Sequence, residues 1–503
     1  MTLDSRRLRF VGLLVVATVA TYVLIVLGTL VSTTGGVLAH WAHGFAALGA
    51  GLALIATAVV ARRVGVDRPT IAGIGAALVL FPVQVAIGAA LVVNPSGTLA
   101  AVHLVLAMGI FAGLLVALGR TLETVARARE EETLERLAEN PDPDDGPDGR
   151  VLTAEIPTDL APGTDGAPAI DTAPATDGES ATDGVPAANG EPTTDATTDA
   201  ESDDTPRGIV DRLPEPIGSY VSLTKPRLMW LLCLVAVAGM GLAATTGATI
   251  ELGTAIATLL GGVLAIGAAG AVNQVYERDR DERMARTDGR PTVDDRVPAW
   301  KGYAFAGALV AVATVVLLVW VNLLATLLTL AAVVYYAVLY TMVLKPRTVW
   351  NTVLGGGAGA LPALIGYAAV TGGVDLSALV LAGVIFLWTP AHFYSLAIAY
   401  REDYARGGFP MLPVVAGDLV ARRHVLGYLG ATMLAVTALG WIAGLGPVYA
   451  IVSIALGVVF LRSVVRQYTE PTTDAALRSF YVSNGYLGAI LLAIVVESGF
   501  GVV

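Results

Sequence analysis

Apolar residues in this chain gather into long runs separated by short polar connections. Most runs reach the about 20 residues needed to cross a bilayer as a helix. Four come first, near 10–31, 40–61, 70–93 and 99–118. Nine more lie near 226–247, 252–275, 301–320, 322–344, 349–371, 375–396, 424–445, 447–465 and 480–500. Between the two sets the pattern stops. Residues 119 to about 140 read as a polar continuation of the fourth helix, and 141–206 are rich in Pro, Gly, Thr, Ala and Asp. That stretch repeats Thr-Asp-Gly imperfectly at 164–166, 176–178 and 182–184 and offers almost nothing to bury. It is expected to be disordered and kept extended by its own charge. The predicted class is an all-α polytopic membrane protein: a four-helix N-terminal bundle at 1–140, a disordered acidic linker at 141–212 and a nine-helix bundle at 213–503.

Charge at the ends of the runs orients them. Arg6, Arg7 and Arg9 precede the first run, Arg62, Arg63 and Arg68 follow the second, and Arg120, Arg127 and Arg129 follow the fourth. The connections 32–39 and 94–98 carry no Lys or Arg. The positive-inside rule therefore places both ends of this block in the cytoplasm. Lys225 and Arg227 start the second block on the same side. Its basic connections, 276–300, 344–348 and 397–423, then alternate with outer ones that lack Lys and Arg. The expected location is the cell membrane, multi-pass, with N-terminus, linker and charged loops cytoplasmic. The first run is too long for a signal-peptide core and lacks a convincing cleavage site, so it is read as a retained helix.

Composition sharpens this picture. The 503 residues are 55% hydrophobic, and the mean hydropathy is +0.69. The net charge of −11 is concentrated in residues 141–206, where seventeen acidic residues face one basic residue, Arg150. Only three lysines occur, Lys225, Lys301 and Lys345. An arginine-rich, lysine-poor chain with an acidic segment suggests a high-salt organism. No nucleic-acid partner is expected. The single Cys233 excludes a disulfide framework and a cysteine metal cluster.

Candidate chemistry gathers at the cytoplasmic ends. Asn273, Glu277 and Asp281 stand at i, i+4 and i+8 where the second run of the later block ends, so a continued helix puts their oxygens on one face. Such oxygens suit Mg²⁺ carrying substrate phosphate. Arg286 and Arg290 just downstream suit a phosphate by bidentate contact. Two more clusters fall on this side: Tyr340 to Lys345 with Arg347, and His392 to Asp403 with Tyr400. Together these groups could hold a diphosphate leaving an allylic prenyl chain, with apolar helix faces around the chain. The alternative is a charged loop anchoring the helix end. Asp279 and Glu282 lie off the 273–277–281 face and read as solvated charge.

Several pieces carry a resemblance: Lys225-Pro226-Arg227, Asn273 to Asp281, Met284-x-Arg286-Thr287-x-x-Arg290-Pro291, Tyr340-Thr341-Met342-Val343-Leu344-Lys345, Gly366-Tyr367, Trp388-x-Pro390-x-His392-Phe393 and Asp403-Tyr404 with Pro410 to Pro413. Over about 217–500 the chain resembles the UbiA family of membrane prenyltransferases, and within it the heme O synthase branch. That family's fold is nine helices around a lipid-open cavity. The resemblance implies transfer of farnesyl from farnesyl diphosphate to a vinyl group of heme b, followed by addition of water. It assigns Asn273, Glu277 and Asp281 to Mg²⁺ and diphosphate, with Asp403 on the opposite side. Arg286, Arg290, Lys345, Arg347, Lys225 and Arg227 would bind diphosphate or, in part, heme propionates; interfacial anchoring is the other reading of the last two. His392 would orient heme or serve as a base, and Tyr340 and Tyr400 would stabilise a cation; helix packing and interfacial placement are the alternatives. The family's first motif has an acid where this chain has Gln274.

In the first block, Val26 to Gly36 and Leu91 to Leu104 resemble one half of the heme A synthase family. This implies that His43 and His103 ligate a heme b, with His40 the alternate ligand. His424 reads as interfacial. Ala39 and Gly44 stand where that family has Glu and Arg, so heme binding is expected and oxidation of heme O to heme A is not. Heme A synthase or oxidase assembly proteins are the expected partners, beside the lipid bilayer. Two other functions compete: a UbiA-type enzyme with a quinone or lipid acceptor, and a membrane heme carrier or redox subunit resting on the two histidines.

Overall fold

The structure is a computed structural model, and it describes residues 5–139, 214 and 217–499. The acidic linker expected at 141–212 lies outside the described residues.

The first block forms four helices, α1 (Ser5–Thr34), α2 (Val37–Val64), α3 (Arg68–Val93) and α4 (Gly97–Glu139). The last runs straight through the polar extension. A short helix α5 (Ile217–Leu223) then precedes α6 (Pro226–Thr245), α7 (Leu252–Asp281), α8 (Ala299–Trp320) and α9 (Leu323–Val334). The backbone continues from α9 as a π-helix, Tyr335–Leu344, then forms α10 (Asn351–Thr371) and α11 (Leu376–Ala399). Two short helices, α12 (Arg401–Arg406) and α13 (Leu412–Ala416), lead to α14 (Asp418–Ile442), α15 (Pro447–Thr469) and α16 (Thr473–Gly499). Among the described residues, twelve helices are long and apolar enough to cross a membrane, counting α9 and the π segment as one span, with Met229–Thr245 a shorter apolar helix. This is a multi-pass all-α membrane protein.

Without a hydrophobic drive between helices in lipid, close packing depends on small residues and satisfied backbone. The crossing of α6 and α10 depends on them. A Cβ on Gly366 would sit 1.9 Å from the Ala236 carbonyl oxygen, and one on Gly239 would sit 2.3 Å from that of Ala363. Helix starts are capped by side chains: Asn322 Oδ1 accepts from Ala325 N at 2.8 Å, and Asp375 Oδ1 from Ala378 N at 2.9 Å.

The first block packs against α14 and α15. Tyr22 is fully buried beside Gly457, and its hydroxyl donates to the Ser453 carbonyl at 3.4 Å. At one end of the bundle Arg423 pairs with Glu123 at 2.5 Å. At the other end Thr33 donates to the Leu445 carbonyl at 3.4 Å. These two contacts fix which ends of the two blocks lie together.

Candidate active site

The site is built on the last turns of α7. Its apolar, Gly- and Ala-rich body continues as helix past Val272 into the charged stretch, and Arg278 and Arg280 in the last turn suit the negative helix end. Asn273, Glu277 and Asp281 share one face, and each is only 2% exposed. Asp279 and Arg278 pair with each other in solvent, and Glu282 is exposed.

A separate cation meets each member of the buried face. Lys225, at the start of α6, donates from Nζ to Asn273 Oδ1. Lys345, just after the π segment, reaches Glu277 Oε1 at 2.8 Å and Oε2 at 2.7 Å. Arg290 binds Asp281 Oδ2 at 2.5 Å. Arg290 arrives because the loop after α7 folds back over the helix: Thr287 Oγ1 donates to the Asp281 carbonyl at 3.1 Å and Thr292 Oγ1 to that of Gln274 at 3.2 Å. Burial pushes the Lys225 ammonium down to about 7; Arg290 adds to the fall and Glu277 opposes it. Lys225 also holds a left-handed backbone, φ 55°, directly before Pro226. Such a conformation costs a non-glycine residue about 1–2 kcal/mol and marks a position held by its surroundings.

Gln274, which replaces an acid of the family pattern, has a structural task here. Its Nε2 donates to the carbonyls of Ser222 at 3.0 Å and Leu223 at 3.2 Å. It ties the end of α5 to α7.

Asp403, on α12, is 6% exposed. It accepts from Arg286 N at 3.3 Å and from the Arg406 guanidinium. It thus holds the loop that carries Arg290, and no contact joins it to Glu277 or Asp281 among the described residues. The Arg286 side chain lies over the rings of Tyr400 at 5.3 Å and Tyr404 at 5.7 Å. Lys345 Nζ also sits 4.2 Å from the Phe409 ring centre. Arg406, Tyr404 and Phe409 complete the surround; Tyr404 stands in the Asp403-Tyr404 piece of the sequence, but sequence reasoning gives none of the three a role.

Other candidates make different contacts. Arg347 is exposed and bonds the Met342 carbonyl at 2.7 Å, capping the π segment. Tyr340 packs on Tyr336, with ring centres 5.6 Å apart, and on Gly355. His392 is sandwiched between Trp388 and Phe480, each 4.3 Å away, with Nδ1 2.7 Å from Ser483 Oγ. These contacts bury it in helix packing, away from the charged cluster. Arg227 opens α6 beside Lys225, but its side chain lies outside the described residues. His424 touches the rings of Trp350, Tyr394 and Tyr428.

Among the described residues, no three His, Cys, Asp or Glu side chains group closely enough to hold a metal ion. The α7 face nevertheless fits Mg²⁺, which takes one or two carboxylates and fills its sphere with water and phosphate oxygens. Glu277, Asp281 and the Asn273 amide oxygen are hard donors of that kind.

In the first block, the ring of His43 on α2 lies 3.1 Å from the Cβ position of Gly28 on α1. The ring of His103 on α4 lies 3.4 Å from that of Gly88 on α3. Both Nδ1 atoms are buried without a hydrogen-bond partner. His40 bonds its own helix, with Nδ1 3.0 Å from the Gly36 carbonyl.

Residues 232–485 match the family model described as the UbiA prenyltransferase family. Protoheme IX farnesyltransferase 2 of Natronomonas pharaonis is 46% identical over 97% of this chain and 99% of its own length. The protoheme IX farnesyltransferase of Halobacterium salinarum is 41% identical over 97% of this chain and 98% of its own length. Among solved structures, a UbiA homolog from Archaeoglobus fulgidus bound to GPP and Mg²⁺ is 16% identical, with a TM-score of 0.43 over 55% of this chain and 99% of its own.

Proposed function

The chain belongs to the UbiA prenyltransferase family, and from that premise we propose that it transfers the farnesyl group of farnesyl diphosphate to a vinyl group of heme b, making heme O. Relatives named for this activity align with nearly the whole chain. The observation that carries the reading is the α7 face, on which buried donors at 273, 277 and 281 are each paired with a cation from another segment.

A diphosphate exchanges partners on this face. Its oxygens take Lys225, Lys345 and Arg290 from the protein carboxylates and amide, and Asn273, Glu277 and Asp281 are the residues that would hold Mg²⁺. When bound, Mg²⁺ neutralises charge building on the leaving diphosphate. The bond from farnesyl C1 to oxygen breaks with its electron pair on the diphosphate, where the three cations hold it. The heme vinyl carbon bonds C1, water captures the resulting cation, and a proton leaves to solvent. Arg286, stacked on Tyr400 and Tyr404, stands at the rim for diphosphate or a heme propionate. Asp403 acts by holding the 286–290 loop.

The α7 face lies on the cytoplasmic side of the cell membrane in this reading, supported by the basic connections around it. The first block binds a heme b through His43 and His103, supported by their two buried ring nitrogens without partners. It is the element that would meet heme A synthase or oxidase assembly proteins.

The test is expression in a host lacking its own heme O synthase, with mass spectrometry of extracted heme. Farnesylated, hydrated heme that disappears on Mg²⁺ chelation in membranes is expected. Unchanged heme b, or a prenylated quinone or lipid instead, would overturn the assignment.

A further inference from the structure

The π segment and α7 meet in matched steps. Thr341 contacts Asn273, and four residues further along both helices Lys345 contacts Glu277. Thr341 is fully buried. Its hydroxyl donates to the Tyr336 carbonyl at 2.8 Å, five residues back. Threonines in the α-helical stretch before it bond four residues back instead, as Thr329 does to Ala325. Lys345 N likewise bonds the Tyr340 carbonyl, five residues back. The π register thus continues to the residue that grips Glu277. Helical insertions of this kind concentrate at functional sites.

A hydroxyl has one proton. With its proton given to Tyr336, the Thr341 oxygen accepts towards Asn273. Asn273 Nδ2 donates to it at 3.0 Å. On the other side of the amide stands Lys225 Nζ, which donates to Asn273 Oδ1 and, as ammonium, has no lone pair to accept with. A flipped amide would set NH₂ against the Lys225 ammonium and would have to draw the Thr341 proton away from the Tyr336 carbonyl. Both contacts therefore select one orientation.

We propose that Thr341 is a positioning residue: it locks the Asn273 amide so that Oδ1 faces the cations and the Mg²⁺–diphosphate. The inference deepens the reading above and rests on it only for the identity of the ligand. Lys225 loses its hold on Asn273 when diphosphate takes the ammonium. Thr341 is then the contact that keeps the amide oxygen turned inward.

The test compares Thr341→Val, which keeps the shape and removes the acceptor, with Thr341→Ser, which keeps it. Full-length chain in nanodiscs is titrated calorimetrically with inorganic diphosphate in the presence of Mg²⁺, and KM is measured separately for farnesyl diphosphate and heme b. Loss of an outer-shell partner typically costs 10–100-fold in metal affinity, so T341V should bind Mg²⁺–diphosphate at least about tenfold more weakly, with T341S within about threefold of wild type. KM for farnesyl diphosphate should rise in parallel while KM for heme b stays unchanged. If T341V does not fold, Thr341→Ala removes the acceptor without adding bulk and carries the same expectation. Equal binding by the Val (or Ala) and Ser variants, or an equal rise in KM for heme b, would overturn the proposal. A wild-type protein that binds Mg²⁺–diphosphate with the expected Val–Ser split yet transfers no farnesyl to heme would refute the reaction and leave Thr341 in place.

Discussion

Replacing Lys345 with Met separates the structural share of the α7 cluster from its chemical share. Lys345 gives Glu277 a bidentate partner; the carboxylate side chain is 1% exposed and the lysine 15%. Removing one member of a buried pair leaves an uncompensated charge, at about 3–5 kcal/mol. At roughly 2 °C per kcal/mol for a large domain, K345M should melt about 6–10 °C below wild type. The converse change should cost less. In Glu277→Gln the stranded ammonium sits nearer solvent and beside the Phe409 ring, so roughly 1–2 kcal/mol is expected from the lost charged hydrogen bonds alone. The double variant K345M/E277Q strands no charge and should recover most of the stability lost in K345M. All three should lose at least about a hundredfold in turnover, since each removes a group that acts on the leaving diphosphate. Thermal unfolding in nanodiscs followed by tryptophan fluorescence gives the stabilities, and heme O formation gives the rates. A double variant as unstable as K345M would show that the pair is not the source of the loss. Near-normal turnover in any of the three would refute the role in diphosphate departure.

Two further outcomes test other parts of the molecule. Gly366→Ala drives a methyl group into the Ala236 backbone carbonyl, which cannot step aside; a loss of about 3 kcal/mol or more is expected, read as a lower melting temperature and poor membrane yield. His103→Ala should abolish a bis-histidine heme spectrum of the purified protein while heme O production falls less than about twofold, because His103 lies outside the α7 cluster. An unchanged spectrum would exclude that ligand.

The spans were legible because a bilayer enforces length and apolarity on each crossing. The α7 face was legible because Asn273, Glu277 and Asp281 follow the helical repeat, and their burial separates them from Asp279 and Glu282. Their partners were less so. Lys345 and Arg290 were nominated for diphosphate, but their individual pairings with Glu277 and Asp281 depend on how distant segments pack. The π register is invisible in hydropathy, since Leu323–Leu344 reads as one apolar run in either geometry. His392 was offered as a heme or base residue on its motif alone; stacking between two aromatic rings is a tertiary fact. Gln274, read as a departure from an acidic pattern, became intelligible once the end of α5 lay beside it.

Pairing every cation on the α7 face with a protein oxygen changes how the site treats small ions. Bare lysines and arginines would behave as an ion exchanger, filling with whatever monovalent anion is abundant. Here Lys345 and Arg290 carry carboxylates and Lys225 an amide oxygen, all tethered by the fold, so their effective concentration does not depend on the medium. Chloride would have to displace these tethered groups one at a time. In the proposed reaction a diphosphate with its own divalent cation would replace them together, because one end of the ligand supplies anions while the other would receive the released carboxylates. Discrimination would then follow from a chelate effect rather than from a tight fit.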